Sequence, residues 1–207
     1  MIVEMRDEVI QKRGYSDSIT GDSLSLEISS YPITAKYLSK RLSEYGNTIC
    51  ELCCGIGISL LEYSCSFDKV IGVDNNPLII ENAQNNLGES GTKNYELIVG
   101  DVDSSNTLRK IKADIVAYDI PYWSDHQGTV KHENPDLKNV VELIQSEITQ
   151  NIVIYAPPYM TQKDFAEIAD TFEYQEVWVD GKHDRNFVYL GELIDDSAPV
   201  RISLRNR

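Results

Sequence analysis

The chain has 207 residues, enough to bury one substantial hydrophobic core and too few for two large independent domains. Its formal net charge of -14 disfavours a protein that adheres nonspecifically to the phosphates of nucleic acids. The amino terminus is acidic and no apolar run approaches the roughly 18 residues that span a bilayer, so we expect a cytoplasmic protein without a membrane span.

The first 31 residues are polar and rich in turn-forming side chains. We expect residues 1–31 to form an extension that caps a substrate site, and residues 32–207 to form the main domain. Apolar residues between 32 and 45 recur near helical spacing and predict the first helix of that domain. Basic side chains gather near both ends of the chain, where a solvated surface is the simpler interpretation. They are Lys12, Arg13, Lys36, Lys40, Arg41, Arg201, Arg205 and Arg207.

From residue 48 onward, apolar runs alternate with helical patterns, which is typical of βαβ units around a mostly parallel sheet. Predicted strands span residues 48–53, 69–74, 95–100, 114–119 and 151–156, and helices are expected from about residues 57, 77, 104, 135 and 161. Two later strands, 176–179 and 187–193, flank a turn-rich segment and predict an antiparallel hairpin at one sheet edge. The predicted fold is therefore α/β and Rossmann-like, with a seven-stranded sheet and helices on both faces.

The segment ELCCGIG, residues 51–57, follows the first predicted strand and is typical of a cofactor loop. Gly55 and Gly57 let the backbone turn sharply and approach a ligand without a Cβ atom in the way. The third glycine of the dinucleotide-binding fingerprint is replaced by Leu60, and the carboxylate of Glu51 would repel a pyrophosphate. S-adenosylmethionine carries an ammonium and a sulfonium and no phosphate, so the sign of the charge favours this cofactor. A surface acid at a strand end is the alternative for Glu51.

Four cysteines, Cys50, Cys53, Cys54 and Cys65, lie within one short region and cannot staple distant loops. Cys50 and Cys53 form an isolated C-x-x-C, for which packing of small side chains is the preferred interpretation over redox activity or half a metal site. The three histidines lack a common zinc spacing, so we predict no metal. We instead expect Cys53, which belongs to the loop at residues 51–57, to bind the cofactor.

Acidic residues follow the next two predicted strands. Asp74 stands 17 residues after Gly57, where a carboxylate accepts hydrogen bonds from both ribose hydroxyls, and Asn75 follows it. Asp101 follows the third strand and is suited to accept from the adenine amino group. Turn and capping chemistry is the alternative for all three residues.

The segment Asp119-Ile120-Pro121-Tyr122-Trp123 ends the fourth predicted strand and suits methyl transfer to a flat amine. The Asp119 carboxylate, which also lies close to the expected cofactor site, and the Ile120 carbonyl can accept the two amine hydrogens, which orients the nitrogen lone pair. Pro121 fixes the backbone, and Tyr122, with Trp123, can stack on a base. A strand-terminal turn with core aromatics is the alternative. His183 and Asp184 are interpreted as loop residues.

These motifs resemble those of the RNA cap guanine amino-methyltransferases, the trimethylguanosine synthase-like proteins, within the class I S-adenosylmethionine-dependent methyltransferases. The resemblance runs over most of the chain and includes residues 29–34, 51–57, 70–77, 148–153 and 189–194. It implies a Rossmann-like fold, S-adenosylmethionine as cofactor and a guanine amino group in RNA or a ribonucleoprotein as acceptor. One motif departs from the family: Ser-Pro-Pro-Trp is replaced by Asp119, Ile120, Pro121 and Tyr122, and an acid at the first position is more similar to adenine amino-methyltransferases.

Four alternatives stay open. In the first two alternatives, the acceptor is an adenine or a protein glutamine amide instead of guanine, since both present the same amine geometry. In another class, the chain is a non-catalytic partner subunit that keeps the cofactor fold, or a nicotinamide-dependent oxidoreductase. Because the chain is acidic, an RNA substrate would need local contacts or a basic partner protein.

Overall fold

The computed structural model describes the backbone of residues 2–124, 130–132 and 136–206, and the side chains of residues 7–121 and 136–206. The helices are α1 (Ile2–Arg13), α2 (Ser23–Ile28), α3 (Pro32–Leu42), α4 (Ile58–Tyr63), α5 (Pro77–Glu89), α6 (Ser105–Leu108), α7 (Leu137–Glu147) and α8 (Gln162–Phe165), with a 3-10 turn at Gly191–Leu193. The strands are β1 (Thr48–Leu52), β2 (Lys69–Asp74), β3 (Tyr95–Val99), β4 (Ile115–Asp119), β5 (Tyr122–Ser124), β6 (Val130–His132), β7 (Ile152–Ala156), β8 (Glu173–Val179), β9 (Lys182–Leu190) and β10 (Arg201–Leu204).

The main sheet has eight strands in the order β3-β2-β1-β4-β7-β9-β8-β10. Strands β3, β2, β1, β4 and β7 pair in parallel, whereas β9 runs antiparallel to both β7 and β8. The α/β, mostly parallel fold is thereby confirmed, and the first five predicted strands agree with the observed ones to within one residue at each end. Strands β5 and β6 form a separate antiparallel pair, and β5 includes the last two residues of the segment from Asp119 to Trp123.

The predicted count of seven strands was wrong by one. Residues 201–204 form β10, which pairs parallel with β8, so the β8–β9 hairpin is not the edge of the sheet. Residues 201–204 can form a strand because their side chains alternate between core and solvent. Ile202 and Leu204 are half-buried against the core, while Arg201 and Ser203 face solvent. Four residues of alternating polarity at a basic chain end gave too weak a signal to predict a strand.

Helices cover both faces of the main sheet, as predicted. Side chains of α3, α4 and α5 join one buried cluster with alternate strand residues, and side chains of α6, α7 and α8 join a second cluster on the opposite face. In β1, Ile49 belongs to the first cluster and Cys50 to the second, because successive strand side chains point to opposite faces. Among the helices within the described ranges, none has both the length and the apolar character needed to cross a bilayer.

The turn between β8 and β9 is shorter than predicted. The sequence analysis assigned residues 180–186 to a turn, whereas β9 already begins at Lys182 after the two-residue turn Asp180-Gly181. Both turn residues have positive φ, 48° and 79°, which matches the right-handed twist of a hairpin. His183 and Asp184 are therefore strand residues, and the interpretation of them as loop residues was wrong.

The amino-terminal extension is also more ordered than a turn-rich segment would be. It contains α1 and α2, and the Asp22 side chain caps α2 by accepting from the Ser25 amide at 2.9 Å. Apolar side chains of the extension form a third buried cluster with one residue of the loop after β1 and the first residue of α4. The members of this cluster are Ile10, Tyr15, Ile19, Leu26, Ile56 and Ile58.

We expect Gly72→Ala to destabilise the protein, because α4 and β3 crowd β2 at this position. A Cβ atom there would lie 2.6 Å from Leu60 Cδ1, 2.8 Å from Leu97 Cδ2 and 2.9 Å from Cys54 Sγ. Overpacking of this kind costs about 1–3 kcal/mol in the free energy of unfolding, measurable by urea denaturation. Gly88→Ala is the control: no atom lies within 4 Å, and alanine in α5 should be neutral or stabilising. Equal effects of the two substitutions would contradict the packing account.

Candidate active site

A cavity of about 550 Å³ lies at the carboxyl edge of the parallel strands. Ligands of open α/β sheets bind at this edge, where the strand order reverses on either side of β1. Its walls come from the loop after β1, the ends of β2 and β4, the start of β9, and the extension. The residues that carry its chemistry are Glu51, Cys53, Gly55, Asp74, Asp119 and Arg185.

The loop after β1 contains three residues with left-handed backbone, of which Cys53 and Gly55 line the cavity. Cys53, Gly55 and Gly57 have φ angles of 60°, 54° and 85°. Gly55 faces the cavity, and its nearest outside neighbour on the Cβ side is Ser29 Oγ at 4.0 Å, so a side chain there would protrude into the space between loop and extension. Gly57 instead begins α4 and packs against Ala83, with 3.3 Å between an added Cβ atom and the Ala83 Cβ.

Glu51 is the most unusual charged residue of the cavity. Its side chain is 2% exposed, and its Oε2 atom has no hydrogen-bond partner among the described residues. Burial raises the pKa of Glu51 well above its usual range, with a further increase from the Asp119 charge and an opposing hydrogen bond from Ser59. A buried carboxyl at the cavity wall with one oxygen lacking a partner among the described residues is suited to a cationic ligand group, because such a group would satisfy both its charge and its open oxygen.

Asp74, at the end of β2, links this strand to the loop after β1 by a hydrogen bond. Its Oδ2 accepts from the Gly55 amide at 3.2 Å and its Oδ1 accepts from the Asn76 amide at 3.0 Å. Burial raises its pKa, and these backbone hydrogen bonds oppose that shift. Asn75 is exposed and donates to Asp101 at 3.1 Å, so these two predicted residues pair with each other beside the cavity.

Asp119 ends β4, and its side chain is one quarter exposed to the cavity. Burial raises its pKa to about 6, the charge of Arg185 opposes this increase, and the charge of Asp184 adds to it. Arg185 Nη1 lies 3.7 Å from Asp119 Oδ2, and Arg185 Nε donates to Asp184 Oδ2 at 2.7 Å. A carboxyl with this pKa changes charge near neutral pH and can accept hydrogen bonds from an amine once it is ionised.

The amino-terminal extension supplies part of the cavity wall. Side chains of α1 and α2 and the following serines line it, namely Val9, Lys12, Arg13, Leu24, Ser25, Glu27, Ile28, Ser29 and Ser30. Leu24 and Ile28 are 59% and 54% exposed, so the mouth carries an apolar rim. Arg13 donates to the Glu27 and Ser29 carbonyls and lies over the Tyr31 ring, which fixes α1 to the end of α2.

Asn86 of α5 holds the extension against the cofactor loop. It is 2% exposed, accepts from the Thr20 amide at 2.8 Å and hydroxyl at 3.0 Å, and donates to the carbonyls of Thr20 at 2.9 Å and Ile56 at 3.0 Å. No sequence motif marked this residue, since an asparagine in a helix is usually a surface residue.

We expect Asn86→Leu to loosen the extension without unfolding the sheet. The change leaves the buried Ile56 carbonyl without its Asn86 donor, at about 1–3 kcal/mol, and it removes three hydrogen bonds that hold the exposed Thr20. Amides of residues 7–31 should then exchange at least about tenfold faster in hydrogen–deuterium exchange, while those of β1 and β4 keep their protection. Asn85→Leu, on the exposed face of the same helix, is the control. Unchanged exchange in Asn86→Leu would refute the anchoring role.

The structure brings together most of the predicted site residues. Glu51, Cys53, Gly55, Asp74, Asp119, Ile120 and Pro121 all line the cavity. Gly57, Asn75 and Asp101 are adjacent to it without lining it. The predicted stacking of Tyr122 and Trp123 lies outside the described residues, because only the backbone of these two is described. The predictions missed Arg185, since its strand was assigned to a turn; the Asp-Gly dipeptide before β9 was the signal that could have placed it.

The chain is similar to known methyltransferases over most of its length. A family model described as a methyltransferase domain matches residues 43–192. Two proteins of Leptospira interrogans, each named an uncharacterized RNA methyltransferase, are 25% identical over 175 residues, which is 83% of this chain and 42% of theirs. The chain thus spans less than half the length of these curated relatives.

Solved structures agree on the fold. A provisionally named methyltransferase from Porphyromonas gingivalis W83 superposes with a TM-score of 0.69 at 19% identity, over 94% of this chain and 48% of that chain. The S-adenosylmethionine-dependent methyltransferase from Agrobacterium tumefaciens superposes with a TM-score of 0.59 at 14% identity, over 76% of this chain and 60% of that chain. Together with the family match, these structures support S-adenosylmethionine as the cofactor, and the open carboxyl of Glu51 beside a glycine loop fits its cationic groups. The chain belongs to the methyltransferase domain family of S-adenosylmethionine-dependent enzymes.

Proposed function

We propose that the protein transfers a methyl group from S-adenosylmethionine to an exocyclic amino group of a nucleobase in RNA, with guanine as the preferred base. The observation that carries this proposal is the Asp119 carboxyl at the cavity wall, followed by Ile120 and Pro121 in the same wall. An aromatic amine is a weak nucleophile, so an enzyme must orient it and accept its hydrogens. A carboxyl and a neighbouring backbone carbonyl are suited to this task.

In the proposed mechanism, the bound cofactor supplies a methyl group activated by the positive sulfur. Glu51 and the loop around Gly55 would hold the cofactor, with Asp74 beneath the loop through its bond to the Gly55 amide. Ionised Asp119 accepts a hydrogen bond from one amine N–H, stabilises the positive charge that develops on the nitrogen, and takes up the proton that the nitrogen loses. The Ile120 carbonyl accepts the second N–H, and Pro121 fixes the chain between the two acceptors. Tyr122 and Trp123 are proposed to stack on the base.

RNA as the substrate is supported by the printed names of the Leptospira relatives, and guanine by the resemblance to the trimethylguanosine synthase-like proteins. Three arginines of the basic groups have partners: Arg13 donates to the Glu27 backbone carbonyl and lies over the Tyr31 ring, Arg41 pairs with Glu173, and Arg201 pairs with Glu176. The net charge of -14 also opposes attraction to the phosphates of RNA. We therefore propose that a basic partner protein, in the cytoplasm, assists RNA binding.

Adenine is the second candidate acceptor. The specific observation in its favour is the acid at position 119, where the resembled family has serine. A protein glutamine amide offers a similar flat amine, and a non-catalytic subunit would bind cofactor without transfer.

The decisive experiment incubates the protein with cofactor carrying a labelled methyl group and with total RNA, DNA and protein from the source cell. Mass spectrometry of the products then identifies the modified unit. Label on the amino group of guanine in RNA is the expected result, and label on adenine or glutamine assigns the alternative acceptor. Label on carbon, oxygen or sulfur only would refute amine transfer. Cofactor binding without any labelled product would favour the non-catalytic subunit, and preferential binding of a nicotinamide dinucleotide would favour an oxidoreductase.

A further inference from the structure

Arg185 is a buried arginine that joins three parts of the cavity wall. Its side chain is 6% exposed and lies in β9 next to the carboxyl end of β7. Nη1 donates to Ser30 Oγ at 2.8 Å and lies 3.7 Å from Asp119 Oδ2, while Nε donates to Asp184 Oδ2 at 2.7 Å. The guanidinium also lies 5.8 Å from the centre of the Tyr155 ring. These contacts fix the planar group between the end of β4 and the extension.

Several charged and titratable groups surround the Asp119 carboxyl. From β9 it faces Arg185 and Asp184, from β1 Glu51, from the following loop Cys53, and from its own strand Tyr118. Arg185 is the cation of this group, and the other members are neutral or acidic. Without it, three carboxyl groups would share one poorly solvated wall, an arrangement that disfavours their ionised forms.

We propose that Arg185 is a positioning residue that holds the Asp119 carboxylate toward the cavity and, through Ser30, couples its placement to the extension. This inference rests on the proposed function, because it concerns the group that would accept the amine hydrogens. Ser30 is 5% exposed and its carbonyl accepts from the Tyr15 hydroxyl at 3.3 Å, so the extension is tied to the same point from its own side. The extension thus fixes the guanidinium that orients Asp119, in addition to lining the cavity.

The consequence is a measurable control of Asp119 ionisation. A guanidinium near a carboxylate stabilises the charged form, so its removal should make Asp119 harder to ionise. Removal of the competing Asp184 carboxylate should have the opposite effect, because Arg185 would then face fewer acids. Removal of Arg185 should therefore raise the pKa of Asp119, and removal of the Asp184 charge should lower it.

The test is a carbon NMR titration of the full chain with labelled aspartate, with Asp119 assigned from the signal lost in Asp119→Asn. In Arg185→Met, the midpoint of the Asp119 titration should rise by about one pH unit or more. In Arg185→Lys, which keeps the charge, the rise should be smaller, and in Asp184→Asn the midpoint should fall. Arg41→Met is the matched control, since Arg41 also forms a buried ion pair, with Glu173 at 2.5 Å at the opposite edge of the sheet. It should leave the Asp119 midpoint unchanged.

An unchanged midpoint in folded Arg185→Met, or a rise in Asp184→Asn, would overturn the proposal. If Arg185→Met does not fold, Arg185→Lys and Asp184→Asn decide the question in the same way. The titration contains no acceptor and no transfer step, so it succeeds or fails independently of the methylation assay. Where that assay finds an acceptor, the pH midpoint of transfer should shift with the NMR midpoint in each variant, a response that a purely structural arginine would not produce.

Discussion

Asp119→Ala is expected to reduce methyl transfer by about 10²- to 10⁴-fold while cofactor binding changes little. The substitution removes the carboxylate that would accept an amine hydrogen and stabilise the charge developing on the nitrogen. Single-turnover transfer of labelled methyl measures the loss, and calorimetry with S-adenosylhomocysteine measures the binding. Asp114→Asn is the control, because Asp114 lies at the other end of β4, where it accepts from the backbone amides of Asn47 and Thr48. Full transfer by Asp119→Ala would refute the assignment.

The same residue sets the expected pH dependence. Burial raises the pKa of Asp119 to about 6, and only the ionised form accepts the amine hydrogens. Transfer should therefore be lost as the pH falls through about 6 and should reach a plateau above it. Rates measured from pH 5 to 8 with saturating cofactor test this direction. A rate that is constant across this range would show that Asp119 ionisation does not limit the reaction.

Glu51→Gln is expected to stabilise the free protein and to weaken cofactor binding. The buried Glu51 has a pKa well above its usual range. Once the pH exceeds the ordinary value of about 4.3, the carboxyl ionises readily in the unfolded state and resists ionisation in the folded state, which lowers the free energy of unfolding. Glutamine removes this cost, and a gain of about 1 kcal/mol corresponds to about 2–4 °C in the melting temperature. The gain should be larger at pH 8 than at pH 5. Binding should weaken by about 10- to 100-fold, because a charged hydrogen bond to the cofactor is lost.

Calorimetry in buffers of different ionisation enthalpy gives a second measurement for Glu51. A cation that binds the ionised carboxyl would displace a proton, so the affinity of the unmodified protein should rise with pH and proton release should disappear in Glu51→Gln. Glu62→Gln is the control, since Glu62 of α4 also has a raised pKa from burial and does not line the cavity. If Glu51→Gln binds S-adenosylhomocysteine as tightly as the unmodified protein, Glu51 does not contact the cofactor.

The cofactor half of the site was predictable because its signals are local. Pro77 after Asn76 predicted the start of α5, and the Asn76 side chain does accept from the Leu78 amide at 3.0 Å. The acid at the end of β2 and the glycines after β1 lie in short segments, each of which is recognisable from its own few residues. Parallel strands bring such segments to one edge of the sheet, so the strand pattern alone predicted their proximity.

The acceptor half depended on contacts between distant residues. Arg185 meets Ser30 across 155 positions of sequence, and Asn86 meets Thr20 across 66. Helix α1 has almost no amphipathic pattern, so its order comes from packing rather than from a sequence signal. Strand β10 is short and lies at an edge, where pairing to β8 decides its structure. Such pairings are set by tertiary structure and leave little trace in a single sequence.

Strand β9 runs antiparallel to β7, so it begins at the edge of the sheet where β1, β2 and β4 end, and this direction has an evolutionary consequence. Strands β1 and β2 carry the residues proposed to hold the cofactor at their ends, whereas β9 carries Asp184 and Arg185 near its beginning, shortly after an exposed two-residue turn. Substitutions near that turn can change the wall beside Asp119 without passing through the packed centre of the sheet. Selection could therefore diversify the acceptor of such an enzyme by changing one hairpin, while the cofactor half is inherited intact.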